Sequence, residues 1–220
     1  MRPKICLSIG NVTYEEALKH LSNVALAEIR MDLLNLPDEQ LLTLFRLGRS
    51  TIATYRSHEN FDRLEAKYNQ AIGVGSTYVD IDINVPEDYR NRIAHLAQSA
   101  GCKVILSYHN FKETPDRKYL MHLIDSMRGS VADTVKIACL ANKPQDCSTI
   151  LGLYDAYSNL VAFCMGEIGR ITRLAAPLLG APFTYASIEG VEIAPGQMNY
   201  GEMEDILRRM ESVNPLFKSE

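Results

Sequence analysis

The sequence predicts an α/β fold, a single (β/α)8 TIM-type barrel that spans residues 1–220. Short apolar runs of strand type alternate with segments of helical spacing, which is typical of parallel strands joined by right-handed crossovers. Eight such units fit into 220 residues, near the lower end of the size range of this fold. Polar residues collect at the carboxyl ends of the runs, where such barrels carry their functional sites.

Each predicted strand is a short run of apolar and β-branched residues that reads as buried. The eight runs are Lys4–Ile9, Leu26–Leu33, Thr51–Arg56, Tyr78–Ile83, Lys103–His109, Thr134–Cys139, Leu160–Met165 and Phe183–Ile188.

The segments between the runs carry helix signals. Thr13 with Glu16 is a capping-box pattern that opens the first helix. In Pro86–Ala100 the apolar residues fall on one face, Pro86 suits the first turn, and Gly101 suits the end of the helix. The last helix has its apolar residues at spacings of three and four, at Met203, Ile206, Leu207 and Met210.

The competing fold is an open doubly wound sheet. Its glycine-rich phosphate turn is missing, because Gly73-Val74-Gly75 precedes a strand and does not open a helix. No shift in composition and no linker divides the chain, so we expect one domain.

Composition excludes several classes of partner. A formal charge of −4 and a pI near 5.8 argue against nucleic acid as a partner, because its binding requires a basic protein face.

The least charged stretch, residues 174–188, is too short and too broken by proline and glycine to cross a membrane. Cys6–Ile9 is too brief for the core of a signal peptide, so the cytoplasm is the expected location. Five cysteines without a C-x-x-C pattern indicate reduced thiols, and we expect neither metal nor cofactor.

The most informative residue is Lys136, which lies in an apolar strand. Burying an ammonium is costly unless the site uses it. A lysine that loses its proton can attack a ketone or aldehyde, and this reaction would explain the position. The alternative, that the side chain reaches from the strand end to solvent, is equally compatible with the spacing. His109 ends the preceding strand and on its own reads as a hydrogen-bonded core histidine.

Other charged residues stand at the same end of the barrel. Glu28 and Arg30 share one face of the second strand, and the alternative interpretation is that they form a structural ion pair. Asp80 and Asp82 are best interpreted as salt-bridge partners inside the barrel.

Arg170 and Arg173 stand near a helix N-terminus, and the alternative is that both are solvated helix residues. Cations there gain nothing from the helix dipole, so a bound anion would explain at least one of them better. Lysine, histidine and arginines at one barrel end indicate imine chemistry on a small anionic keto compound.

Several motifs, in order along nearly the whole chain, resemble those of type I 3-dehydroquinate dehydratase. They are Glu28-Ile29-Arg30-Met31-Asp32, Arg56-Ser57, Ser107-Tyr108-His109-Asn110-Phe111, Val135-Lys136-Ile137-Ala138 and Ala194-Pro195-Gly196-Gln197. The resemblance implies a cytoplasmic homodimer of the shikimate pathway, without a cofactor, whose small-molecule substrate is 3-dehydroquinate.

The resemblance also implies residue roles. Lys136 would form the imine, His109 would remove the adjacent proton and return it to the departing hydroxyl, and Glu59 would support the histidine. The substrate would be bound by Glu28, Arg30, Arg56, Arg173 and Gln197, the last from a mobile loop. The product of this syn elimination would be 3-dehydroshikimate.

Two positions depart from the family pattern. Glu59 stands one place early after Arg56 and no Gly-Gly follows it, which puts its contact with His109 in doubt. Ile193 replaces the serine that usually precedes the Ala-Pro-Gly-Gln motif, and we expect a modest effect on substrate binding.

Two other functions stay open from the residues alone. A class I aldolase also forms an imine but breaks a carbon–carbon bond, and it typically binds phosphate through glycine-rich loops after strands seven and eight. A non-catalytic barrel that binds small acids would form no covalent adduct.

Overall fold

The computed structural model describes residues 4–57 and 59–213, with side chains as far as Met210, and it confirms the predicted (β/α)8 barrel. The strands are β1 (Ile5–Ile9), β2 (Leu26–Arg30), β3 (Thr51–Thr54), β4 (Tyr78–Asp82), β5 (Lys103–Asn110), β6 (Thr134–Leu140), β7 (Leu160–Met165) and β8 (Thr184–Ser187). The helices are α1 (Tyr14–Leu21), α2 (Asp38–Leu47), α3 (Phe61–Gly73), α4 (Glu87–Ser99), α5 (Arg117–Arg128), α6 (Pro144–Leu151), α7 (Arg170–Leu178) and α8 (Tyr200–Val213). Within this part of the chain, none of the helices has the length and apolar character that a membrane span needs.

All strand pairs are parallel, in the order β7-β6-β5-β4-β3-β2-β1-β8. The barrel is closed except between β7 and β8, whose described residues form no hydrogen-bonded ladder. The contacts across this seam include a hydrogen bond from the Gly166 N–H to Pro195 O at 3.1 Å and the packing of the Phe163 and Tyr185 rings, whose centroids lie 5.9 Å apart. The seam therefore lies directly beneath the loop that follows β8.

Side chains alternate between the two faces of each strand, as the twofold period of a strand requires. The outward face packs against the helices in a large apolar core that includes Ile29, Val79, Ile81, Val135 and Ile137. The inward face fills the lower barrel with apolar side chains, among them Cys6, Leu26, Ile52, Ile105, Val161 and Phe183. Above that layer the same inward faces carry charge, and a cavity opens there.

The predicted element ends need small corrections. β2 ends at Arg30 and not at Leu33, because the chain turns there and the Leu33 N–H donates to Arg30 O at 2.9 Å. β3 likewise ends at Thr54, two residues before the predicted Arg56. Pro86 is the N-cap of α4 and does not lie in its first turn.

Two local signals behave as predicted. Thr13 and Glu16 form both hydrogen bonds of a capping box at the start of α1. Gly101 has a φ of +70°, a conformation that favours glycine, and it follows the end of α4.

We expect Ile81→Ala to lower the free energy of unfolding by about 2–5 kcal/mol, because Ile81 is fully buried between β4 and the helices and its loss leaves a cavity. Urea unfolding followed by circular dichroism measures the change. The control is Leu47→Ala, since Leu47 is 62% exposed and its truncation should cost no more than about 0.5 kcal/mol. Equal effects of the two variants would contradict the assignment of Ile81 to the core.

Candidate active site

A cavity of about 400 Å³ opens at the carboxyl ends of the strands, a volume suited to a small organic molecule. All the predicted site residues except Glu59 line it, namely Glu28, Arg30, Arg56, His109, Lys136, Arg173 and Gln197. Residues from both ends of the chain therefore meet in one place, as the closure of the barrel requires.

Lys136 lies at the floor of this cavity. It is the third residue of β6, and strand alternation turns it into the barrel while Val135 and Ile137 face the helices. Only 5% of the residue is exposed. Its Nζ lies 2.8 Å from Asp80 Oδ2, 3.8 Å from Glu28 Oε1 and 4.1 Å from the centre of the Tyr185 ring. The alternative that Lys136 reaches outward to solvent is therefore wrong.

Asp80 on β4 is shared between two cations. Its Oδ1 accepts a hydrogen bond from Arg56 at 2.7 Å and one from Ser107 Oγ at 2.6 Å, while Oδ2 faces Lys136. Burial on its own would raise the pKa of Asp80, but Arg56 and Lys136 outweigh it and hold this pKa well below its ordinary value. Asp80 therefore stays ionised, and it fixes both cations in the barrel.

Glu28 on β2 is the second anion beside the lysine. It accepts hydrogen bonds from Ser8 Oγ at 2.8 Å and from Thr54 Oγ1 at 3.0 Å. Burial raises the pKa of Glu28, but the charges of Lys136 and Arg30 more than offset it, and the pKa is lowered. Both of its oxygens are thus occupied by donors in a buried place.

Arg30 does not form the ion pair with Glu28 that the sequence left open. Its Nε and one terminal nitrogen donate to the two carboxylate oxygens of Asp32, at 3.0 and 2.7 Å. The turn after β2 brings Asp32 back to Arg30 and makes this bidentate pair possible.

His109, near the end of β5, is held through its Nδ1. This nitrogen lies 2.8 Å from Asp82 Oδ2, on the neighbouring strand β4. The ring of Phe111 stacks on the imidazole, with centroids 6.2 Å apart and planes 14° apart. Burial lowers the pKa of His109 and outweighs the hydrogen bond to Asp82, with Arg56 and Lys136 acting in the same direction as burial. The imidazole is therefore mainly neutral at neutral pH, which suits a general base.

Within the described part of the chain, Arg173 on α7 is a buried cation without an acidic partner. None of its atoms is measurably exposed, and its guanidinium lies 4.2 Å over the centre of the Phe163 ring. A terminal nitrogen donates weakly to Pro195 O at 3.4 Å, and Nε has no hydrogen-bond partner in the described part of the chain. Burial lowers the pKa of Arg173 to about 10. Among the described residues it forms no ion pair with a carboxylate, which leaves its charge available to an external anion.

The loop after β8 covers the cavity and depends on two glycines. Gly196 has a φ of +68°, and a Cβ there would come within 2.3 Å of Gly166 O. This close approach positions Gln197. Its side-chain oxygen accepts hydrogen bonds from the backbone N–H groups of Ile193 and Ala194, at 2.9 and 3.2 Å. Ile193 itself lines the cavity, so no hydroxyl stands where the family usually has serine.

The expected contact between Glu59 and His109 is not found, which corrects that prediction. Glu59 is exposed, and no described residue hydrogen-bonds to its carboxylate, while its backbone N–H donates to Ser57 Oγ at 3.5 Å. The early position of Glu59 after Arg56 leaves it outside the cavity. Its neighbour His58 lies outside the described residues.

Sequence reasoning did not identify the contact between Asp82 and His109, because it interprets Asp82 as a salt-bridge partner in the barrel interior. One signal could have found it. Asp82 ends β4 on the same inward face as Asp80, next to β5, whose last inward residue is His109. Tyr185 was also missed: it is buried in the cavity wall beside Lys136, and nothing in the local sequence of β8 marks it.

The arrangement combines a buried amine, a neutral imidazole and an unpaired guanidinium around one cavity. These groups can form an imine, move a proton and bind an anion. Among the described residues no cluster of histidine, cysteine and acidic side chains has the geometry of a metal site.

The chain is similar to known proteins along most of its length. A sequence model of the family described as Type I 3-dehydroquinase matches residues 5–214. The 3-dehydroquinate dehydratase of Thermococcus onnurineus is 37% identical over 217 residues, which cover 93% of this chain and 97% of that protein. The crystal structure of 3-dehydroquinate dehydratase from Aquifex aeolicus is 27% identical, with a TM-score of 0.80 and coverage of 94% of this chain and 98% of that one. The enzyme of the same name from Geobacillus kaustophilus has a TM-score of 0.85 at 21% identity over 97% of this chain and 93% of that one, a likeness of fold alone.

We expect Arg173→Met to raise the free energy of unfolding by about 1–3 kcal/mol, because it removes a buried charge that has no ionic partner among residues 4–57 and 59–213 and keeps an apolar side chain over Phe163. Urea unfolding without ligand measures the change. Arg46→Met, at an exposed ion pair with Glu39, is the control and should change stability by no more than about 0.5 kcal/mol. A loss of stability in Arg173→Met would mean that the guanidinium is well satisfied without an external anion.

Proposed function

Because this chain belongs to the type I 3-dehydroquinase family, we propose that Lys136 and His109 perform the family's dehydration through a covalent imine. The chain is a lyase that removes water from 3-dehydroquinate. The observation that carries this assignment of roles is that Lys136, His109 and the unpaired Arg173 line one buried cavity.

Substrate binding begins with charge. 3-Dehydroquinate carries a carboxylate, and Arg173 is the cavity-lining cation that lacks an acidic partner among the described residues. Arg30 and Arg56 are already paired with Asp32 and Asp80. We therefore assign the carboxylate to Arg173, where a bidentate contact would satisfy the buried Nε. Arg56, Glu28, Arg30 and Gln197 surround the ring hydroxyls.

Imine formation keeps the charge at the lysine nitrogen. The Lys136 nitrogen loses two protons, one before and one after it attacks the ketone carbon. The ketone oxygen takes up both protons and leaves as water, and the nitrogen is then a positively charged iminium. Asp80 and Glu28, which face the ammonium at rest, then face the iminium. They stabilise it in a site with little water, where such contacts count for more than in solution.

The elimination uses His109 twice. The neutral imidazole takes a proton from the carbon next to the iminium, and the electron pair moves toward the iminium nitrogen. The imidazolium then returns this proton to the hydroxyl on the following carbon, which leaves as water. Because one residue acts in both steps, both groups depart from the same face of the ring. Hydrolysis of the conjugated iminium releases 3-dehydroshikimate and regenerates the lysine.

We also propose that residues 1–220 act as one catalytic domain, as a homodimer in the cytoplasm. Family resemblance supports the homodimer. The biosynthetic reaction and the five buried cysteines, all with free thiols, support a reducing compartment.

Borohydride reduction in the presence of 3-dehydroquinate tests the proposed imine. We expect a stable adduct on Lys136, located by mass spectrometry of peptides. Lys103→Ala is the matched control, because Lys103 is an exposed strand lysine at the opposite end of the barrel. This variant should be modified as the wild type is, while Lys136→Ala should not be modified.

His109→Ala extends this test. It should still form the adduct but lose about 10²–10⁴-fold in turnover, followed by the absorbance of the conjugated product. An adduct without any enone product in the wild type would favour an aldolase-type reaction. Absence of an adduct would contradict the imine, and full turnover by His109→Ala would contradict the proton transfer.

We expect kcat/KM to rise with pH through a midpoint below 6.5, the ordinary pKa of histidine. Burial, Arg56 and Lys136 lower the pKa of His109 more than Asp82 and Asp80 raise it, so the base form persists to lower pH than in an exposed histidine. Initial rates at low substrate concentration between pH 4.5 and about 9 give the profile. A midpoint above 6.5 that His109→Ala abolishes would contradict the direction of this shift.

A further inference from the structure

The imidazole of His109 is restrained from two sides. Asp82 Oδ2 lies 2.8 Å from Nδ1, and Phe111 stacks on the ring at a small interplanar angle. Nδ1 is therefore occupied by a carboxylate of the neighbouring strand β4.

We propose that Asp82 is the positioning residue of His109: it holds the proton on Nδ1 and leaves Nε2 as the bare nitrogen that takes the proton from the substrate. This inference rests on the proposed function, since it assigns the tautomer that the proton transfer requires. Asp82 takes the part for which the sequence had suggested Glu59.

The hydrogen-bond inventory of the carboxylate supports the assignment. Asn84 donates twice to Asp82 Oδ1, from its backbone N–H at 3.0 Å and from Nδ2 at 2.9 Å. This local turn occupies one oxygen and leaves Oδ2 for His109. An ionised carboxylate only accepts hydrogen bonds, so the proton between the two groups belongs to Nδ1.

The ionisation of Asp82 agrees with this geometry. Burial would raise the pKa of Asp82, but the hydrogen bond from His109 and the charge of Arg56 outweigh it and lower the pKa. Asp82 is therefore ionised over the pH range in which the imidazole is neutral. A neutral imidazole with Nδ1–H has its lone pair on Nε2.

The position in the barrel places both members of this pair on regular structure. Asp82 and His109 lie on neighbouring strands, and the register pairs Asp82 with Ser107, two residues before His109. Each backbone is fixed by its ladder, whereas Glu59 stands in an exposed loop. A positioning group on a strand holds a ring more accurately than one on a loop.

The test compares Asp82→Asn with the wild type by nitrogen-15 NMR of histidine-labelled protein without substrate. We expect the wild-type His109 signals, identified by their loss in His109→Ala, to show a protonated Nδ1 and a bare Nε2. In Asp82→Asn the amide can also donate to Nδ1, so the tautomer ratio should shift toward Nε2–H. A wild-type His109 protonated on Nε2 would overturn the proposal, and this measurement needs no variant of Asp82 to fold.

Kinetics give a second, independent readout. Asp82→Asn should lower kcat at least about tenfold, part of the range that a general base contributes, with a smaller change in KM. Among the described residues, the charges that act most strongly on His109 are Asp82 and Asp80, which favour its protonated form, and Arg56 and Lys136, which oppose it. Loss of the Asp82 charge should therefore move the acid limb of kcat/KM to lower pH.

Two further variants make the result specific. Asp116→Asn removes the same charge at the N-cap of α5, outside the cavity, and should leave kcat and the acid limb as in the wild type. Glu59→Gln tests the competing partner: a shifted acid limb there, with none in Asp82→Asn, would overturn the proposal.

Borohydride trapping separates this inference from the proposed function. Asp82→Asn should still form the adduct on Lys136, because it leaves the lysine and its two carboxylates in place. Adduct formation with an unchanged tautomer and unchanged kcat would overturn the role of Asp82 alone. Absence of an adduct in the wild type would instead reject the imine mechanism, while the NMR measurement would still decide whether Asp82 sets the tautomer.

Discussion

The site depends on one buried carboxylate that two cations share. Asp80 faces Lys136 with one oxygen and Arg56 with the other, at 2.8 and 2.7 Å. Taking three charged groups out of water costs several kcal/mol each, and the cost is offset only when each keeps its partners. Asp80 provides this compensation, so the lysine can stand inside the barrel at all.

The same electrostatics set the protonation states that the chemistry needs. The positive charges of Lys136 and Arg56 hold Asp80 ionised, and they also disfavour a proton on His109. Both pKa values are lowered by these charges, which leaves Asp80 anionic and His109 a neutral base. The local pair of His109 with Asp82 then decides which ring nitrogen carries the proton.

The sequence predicted the fold well and the site unevenly, for physical reasons. Strands and helices follow from local periodicity, and the inward orientation of Lys136 follows from alternation along β6. The partner of His109 does not follow from local periodicity, because it depends on which carboxylate the strand register brings within 2.8 Å of the imidazole. A shift of one residue in the loop after β3 placed Glu59 outside the cavity and left that position to Asp82. The burial of Tyr185 beside the lysine likewise depends on how the seam between β7 and β8 closes.

Arg173 connects the stability of the barrel with its specificity. The cavity's other charged side chains already have partners of opposite charge, and this guanidinium has none within the described residues. Its burial therefore costs free energy in the empty protein, a cost that a bound carboxylate would remove. A neutral ligand of the same shape would leave this penalty in place. The site therefore discriminates between anionic and neutral ligands through the unpaired guanidinium more than through the size of the cavity. The apolar Ile193, which lines the same cavity, acts in the same direction, since its side chain offers no hydroxyl to a polar ligand.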